Sequence, residues 1–188
     1  MSKTKNSIEE LKKKLFIPLT NYDLENYIGA NKIVKYSDID EMKHIDELLP
    51  NATDFKVVLY ETLRNSGHWI VILRNDNKGE YMFFDSYGNA LGSHSKFNTA
   101  EKNRLLGNKM HALKDLLKTR KKGMKVVSNT NRLQSLQSGS ETCGRWLVLF
   151  LKMYLDRGLN LQQFEEMIDS VKAKKSFENR DMVSCFFI

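Results

Sequence analysis

Residues 146–155 read WLVLFLKMYL, with Lys152 as their one charge. Wound as a helix, this segment has almost no polar face, so protein must wrap it on nearly all sides. It falls well short of the ~20 apolar residues that cross a bilayer, so it reads as the central helix of a folded domain. A helix of that kind needs enough chain to surround it. The 188 residues, 41% apolar and 10% aromatic, can do so as one domain. That composition excludes a disordered, fibrous or disulfide-stapled chain. The N-terminal stretch MSKTKNSIEELKKKLF has no apolar core of the signal-peptide kind, which predicts a protein that is not secreted. Cys143 and Cys185 are the two cysteines, expected as free thiols.

The rest of the chain reads as α+β. Ser7 with Glu10 predicts a capped helix over 7–16, and Thr20 with Asp23 one over 20–27. A third is predicted from Ser37 to Leu49, stopped by Pro50. The pattern then shifts to β-branched and aromatic runs: 55–61, 69–74 and 81–85, with turn chemistry at 75–79. This predicts an antiparallel meander. Residues 99–120 read as a helix weakened at Gly107, and 124–128 as a further strand. Gly158 ends the apolar helix, and Asn160 opens another to about Val171. The expected organisation is a single domain over 1–188: an N-terminal helical region over 1–50, a core over 55–157, and a C-terminal helix and tail over 158–188.

Directly before the apolar helix lies QSLQSGSETCG, a polar loop running into Cys143. A thiol in the first turn of a buried helix meets unpaired N–H groups and the positive end of the helix dipole, which favour thiolate. Gly144 beside it permits a close approach. The plain alternative is a small buried hydrophobe.

A nucleophilic thiol needs a base, and the base an orienting group. His44, in MKHIDEL, reads as surface; His94 and His111 read as solvated. His68 stands between Gly67 and Trp69 at the mouth of the apolar strand WIVIL. Asp85 closes the next strand. A turn centred near Asn77 sets His68 opposite about residue 86, beside Asp85, where a carboxylate can hold the imidazole tautomer. The alternatives are a polar strand end for His68 and turn chemistry for Asp85. For an oxyanion, the Cys143 N–H is one donor, and a loop amide from Gln134 or Gln137 another.

Taken in order, His68-Trp69, Asp85, Gln137 and Cys143-Gly144 resemble the ubiquitin-like-protein protease superfamily, which includes the SUMO-specific proteases and the adenain-like viral maturation proteases. The resemblance spans about residues 55–157. It implies a papain-like cysteine protease fold in circularly permuted order, with a central buried helix on a mostly antiparallel sheet. It implies Cys143 as nucleophile, His68 as base and then acid, Asp85 as orienter, and Gln137 with the Cys143 N–H as oxyanion hole. Gln137 is preferred over Gln134 because the second glutamine of a QSxQ run carries the role in adenain-like members. Trp69 and Gly144 would then line the substrate path and favour Gly-rich cleavage sites.

Members acting on SUMO usually carry long regulatory regions and an acidic recognition surface. This chain is nearly bare of such regions and carries a net charge of +7. That directs the expectation to a compact endopeptidase of viral structural precursors, as in adenoviruses or virophage-like relatives. It would act as a monomer in the virion and the host cytoplasm or nucleus, with no metal, no cofactor and no membrane contact. Lys114, Lys118, Arg120, Lys121, Lys122 and Lys125 form either a solvated basic face or a DNA contact, with DNA as an activator. The tail DMVSCFFI reads as a buried terminal strand or as an activating segment packed along the sheet through Cys185. Competing functions are a deconjugating isopeptidase, a Cys-His-Asp protein acyltransferase and a non-enzymatic DNA-binding protein.

Overall fold

The computed structural model describes residues 2–93, 97–135 and 139–188, with side chains from residue 7 onward. Among these residues, Ile33–Lys35 (β1), Phe55–Leu63 (β2), Ser66–Asn75 (β3), Glu80–Asp85 (β4) and Lys125–Ser128 (β5) form one sheet in that order. β2, β3 and β4 are the expected antiparallel meander. The outer strands β1 and β5 run parallel to their neighbours, so the sheet is mixed rather than mostly antiparallel. The cause is connectivity: hairpins impose antiparallel pairing, whereas a strand reached through a helical crossover returns parallel.

The chain forms two compact units. One comprises Gly29–Asp85 and Asn89–Thr130; the other comprises Met1–Ile28, Ser86–Gly88 and Asn131–Ile188. The expected core over 55–157 contributes to both.

In the first unit, one sheet face carries Val58, Tyr60, Ile70, Ile72, Tyr81 and Phe83. Short helices cover it: Tyr36–Ile39 (α3), Ile45–Leu48 (α4) and, after Ala100–Leu105 (α5), Ala112–Lys118 (α6). The helix expected over 37–49 is thus two separate turns. His44 starts the second, its side chain accepting from the Asp46 N–H while Glu47 accepts from the His44 N–H. The segment 99–120 also divides. Thr99 caps α5 as expected, and His111, with φ 70, sets a fresh start for α6. Between β3 and β4 runs a four-residue loop, a 3-10 turn over Asp76–Lys78 closed by Gly79 at φ 63. That left-handed conformation suits glycine.

The second unit is helical: Ser2–Lys14 (α1), Asn21–Ile28 (α2), Cys143–Arg157 (α7), Leu161–Lys175 (α8) and Asp181–Phe187 (α9). Its centre is α7, buried from Cys143 through Leu151 and again at Met153. Trp146 and Phe150 of α7 meet Phe164 of α8 edge-on, with centroids 6.5 Å and 5.4 Å apart. Thr20 and Asp23 cap α2 reciprocally, and Asn160 and Gln163 cap α8. The tail 181–188 is not a strand along the sheet. It is a helix against α1, α7 and α8, burying Met182, Val183 and Cys185 and leaving Phe186 and Phe187 outside. Residues 181–185 are buried without a break, so burial along this run shows neither the alternation of a half-exposed strand nor a single helix stripe. No described helix is long and apolar enough to cross a membrane.

Candidate active site

The sheet unit holds a buried imidazole–carboxylate pair. His68 Nε2 lies 2.7 Å from Asp85 Oδ1, with His68 5% and Asp85 0% exposed. The register that creates it differs by one residue from the sequence count. Ile70 stands opposite Asp85, so residue 68 falls opposite 87 rather than 86. The difference matters because side chains alternate faces along a strand. In the actual register His68, Ile70 and Asp85 share one face, and His68 reaches Asp85 as a diagonal neighbour. The expected register would have sent the two side chains to opposite faces.

Further residues fix this pair. Asn129 binds the backbone of Asp85 twice, accepting from its N–H at 2.9 Å and donating to its C=O at 2.7 Å. Asn89 Nδ2 donates to Asp85 Oδ2 at 2.8 Å. An ionised carboxylate only accepts, so with Asp85 ionised and His68 neutral the Nε2 carries the proton and the ring lone pair stands on Nδ1. Phe97 meets the His68 ring edge-on at 5.4 Å. Across β2, Tyr60 pairs with His68, and its hydroxyl donates to Asn103 at 2.7 Å. Burial and the nearby Tyr36 hydroxyl push the Tyr60 phenol up to about 12, so it stays a donor at neutral pH. Sequence reasoning missed Asn89, Asn129 and Phe97.

Gly67 has a specific reason to precede His68. A Cβ at this position would stand 2.0 Å from the Tyr60 carbonyl oxygen and 2.7 Å from the Thr62 nitrogen. The two strands approach there at the irregularity between Glu61 and Leu63. Trp69 points to the other face by alternation and is 6% exposed.

The helical unit holds the thiol. Cys143 is the first residue of the 15-residue helix α7, is buried, and is in no disulfide. Thr142 occupies the N-cap position but makes no side-chain cap, so its hydroxyl satisfies none of the first-turn N–H groups. Beside Gly144, a side chain would meet Leu19 Cβ at 3.0 Å, so the close approach there is made by Leu19 within this unit. Gln134 is 1% exposed and engaged at both ends of its amide: its Oε1 accepts from Ser86 Oγ at 2.8 Å and its Nε2 donates to the Ser140 carbonyl at 2.7 Å. That amide braces the loop. Gln137 and His94 lie outside the described residues.

The remaining candidates are dispersed. His44 caps α4 at the surface, and His111 is exposed at the start of α6. Cys185 is buried, which pushes its thiol up and disfavours a thiolate. Lys118 pairs with Asp115 at 2.7 Å, and Lys121 lies 3.6 Å from Asp76. Arg120 donates to the Met124 and Leu117 carbonyls at 2.9 Å each, locking the α6–β5 connection. Lys114, Lys122 and Lys125 are exposed. Among the described residues, no group of three or more His, Cys, Asp or Glu side chains could hold a metal ion.

No protein-family model matches the chain. It is 30% identical over 166 residues to uncharacterized protein V9 of Sputnik virophage, covering 87% of this chain and 90% of that protein. The solved structure of the Chlamydia abortus effector protein ChlaDUB overlaps 92% of this chain and 88% of its own, at 15% identity. Its TM-score of 0.32 is too low to establish a shared fold.

Proposed function

We propose that this chain, which belongs to the same family as uncharacterized protein V9 of Sputnik virophage, is a thiol endopeptidase that cleaves viral structural precursor proteins. One observation carries the proposal: the carboxylate of buried Asp85 lies 2.7 Å from His68 Nε2, where an ionised carboxylate favours the tautomer that a general base requires. Cys143, at the start of a buried helix, supports it as the partner nucleophile.

In this reading Cys143 sulfur attacks the scissile carbonyl while His68 holds the thiol proton. The oxyanion accepts from the Cys143 N–H, and Gln137 is its side-chain donor, since Gln134 is spent on the loop. His68 then protonates the leaving amine. Water attacks the thioester with His68 as base, the carboxylic acid product leaves, and the thiol is restored. The fold this entails is papain-like in permuted order. The virophage relative supports a viral setting, and the resemblance favours Gly-rich cleavage sites. The enzyme needs no metal or cofactor and works as a monomer in the virion and infected cell, with DNA as an activator through the exposed lysines near 114–125.

Incubating the source particle's structural proteins with wild type and with Cys143→Ala, then sequencing new termini by mass spectrometry, tests it. Wild type should generate new termini, clustered at glycine, that the variant does not. No Cys143-dependent termini would overturn the endopeptidase reading. Labelling of Cys143 by a ubiquitin-family activity probe at low concentration would instead move the substrate class to conjugated ubiquitin-like proteins.

A further inference from the structure

Asp181 opens α9, some forty residues after the proposed nucleophile, yet it reaches the segment on which Cys143 stands. It is 1% exposed. Oδ1 accepts from the Thr142 hydroxyl at 2.6 Å and from the Trp146 indole N–H at 2.9 Å. Oδ2 accepts from the Ser135 N–H at 2.9 Å and lies 3.0 Å from the Ser140 hydroxyl. A buried carboxylate is costly unless it is satisfied, and here four donors from one stretch of chain satisfy it. The donors are not scattered. Ser135 and Ser140 flank Gln137, Thr142 is the N-cap of α7, and Trp146 lies one turn past Cys143.

The Thr142 contact has a second consequence. A threonine at an N-cap ordinarily turns its hydroxyl onto a first-turn N–H. Here the hydroxyl goes to Asp181, and no side-chain cap forms. The carboxylate therefore anchors both ends of the 135–142 loop and keeps the Thr142 hydroxyl away from the N–H groups around Cys143. An oxyanion would need those donors.

We infer that Asp181 is a positioning residue: it holds Thr142 and the first turn of α7 in the arrangement that oxyanion stabilisation by the Cys143 N–H requires. This rests on reading Cys143 as the nucleophile. It also gives the C-terminal helix a role in catalysis that its distance in sequence hides.

The test uses the full chain with Asp181→Asn, which keeps the shape but turns one acceptor oxygen into a donor. Thr142→Val, which removes a single donor, is the milder second variant should the first fold poorly. Three quantities are read: kcat and KM on a cleaved peptide, amide hydrogen exchange of residues 139–142, and the rate of Cys143 alkylation by iodoacetamide. Asp181→Asn should lower kcat by about 10²-fold, as small misplacements near reacting atoms do, with KM within about twofold. Exchange over 139–142 should quicken by about tenfold or more, as local opening becomes easier. Alkylation, which forms no oxyanion, should change by less than about twofold. Thr142→Val should shift kcat and exchange in the same directions by less. Unchanged exchange, or a kcat like that of wild type, overturns the inference. If wild type itself cleaves nothing, the Cys143 reading has failed, and the exchange measurement still decides whether Asp181 anchors the loop.

Discussion

His68 and Asp85 stand on adjacent antiparallel strands, one pair out of direct opposition, with Nε2 and Oδ1 2.7 Å apart in a dry environment. The diagonal offset puts both on one face, where an ionised carboxylate favours the tautomer with the lone pair on Nδ1. Replacing Asp85 by Asn keeps the shape but lets the amide stabilise the other tautomer. Asp85→Asn should lower kcat by about 10²–10⁴-fold, as in other triads, while KM moves little. Steady-state kinetics on a cleaved peptide measures this.

Asn129 ties down the Asp85 backbone through two bonds. Asn129→Ala removes both in a buried setting and should cost about 1–3 kcal/mol of stability. Activity should fall as well, because Asp85 loses its fixed position. Urea unfolding and kinetics on the same preparation check both.

Gly67→Ala sets a methyl group against the Tyr60 carbonyl. Backbone cannot yield as a flexible side chain does, so β2 and β3 must part beside His68. We expect a loss of about 1–3 kcal/mol by overpacking, and a larger proportional loss of activity than of stability. Alanine at Gly79, where no atom lies within 4 Å, should be strained by its positive φ alone and leave kcat untouched.

The hairpin and the Cys143 helix were legible because their patterns are strong: β-branched runs around a turn, and an apolar helix behind a polar loop. The register was not, because a four-residue loop with Gly79 left-handed is indistinguishable in sequence from a shorter turn. β1 has three residues and no periodicity to read. Asn89 and Asn129 act on Asp85 through contacts that leave no local trace, and so does Asp181 on the 135–142 loop. The tail misled because a short apolar run has no preference between strand and helix until its neighbours are known.

Acid stability should report on Asp54. Burial alone raises its carboxyl, but Lys32 at 2.7 Å, the Phe55 N–H and Asn51 outweigh it and hold the group below the ordinary range. A depressed carboxyl stabilises the fold above its unfolded pKa, and that stabilisation fades as pH falls through the folded value. The stability gap between wild type and Asp54→Asn should therefore be full near pH 6 and close below about pH 4, the unfolded value. Urea titrations across that range show it.

The proposed DNA contact would divide the basic stretch. Arg120 is occupied by backbone carbonyls, whereas Lys122 and Lys125 are exposed. If DNA binds there, Lys122→Ala and Lys125→Ala should each reduce the slope of log K against log salt by about 1. Arg120→Ala should chiefly lower stability. Fluorescence titration with duplex DNA at several salt concentrations separates these effects.

The most direct test of the account is the rate of Cys143 alkylation by iodoacetamide at pH 7, in wild type and in His68→Ala. Peptide mass spectrometry reads Cys143, with buried Cys185 as the internal reference. The account predicts fast modification of Cys143 in wild type, almost none at Cys185, and a drop of about tenfold or more at Cys143 when the imidazole is removed, since a paired base activates the thiol. Equal rates at Cys143 in the two proteins would contradict it.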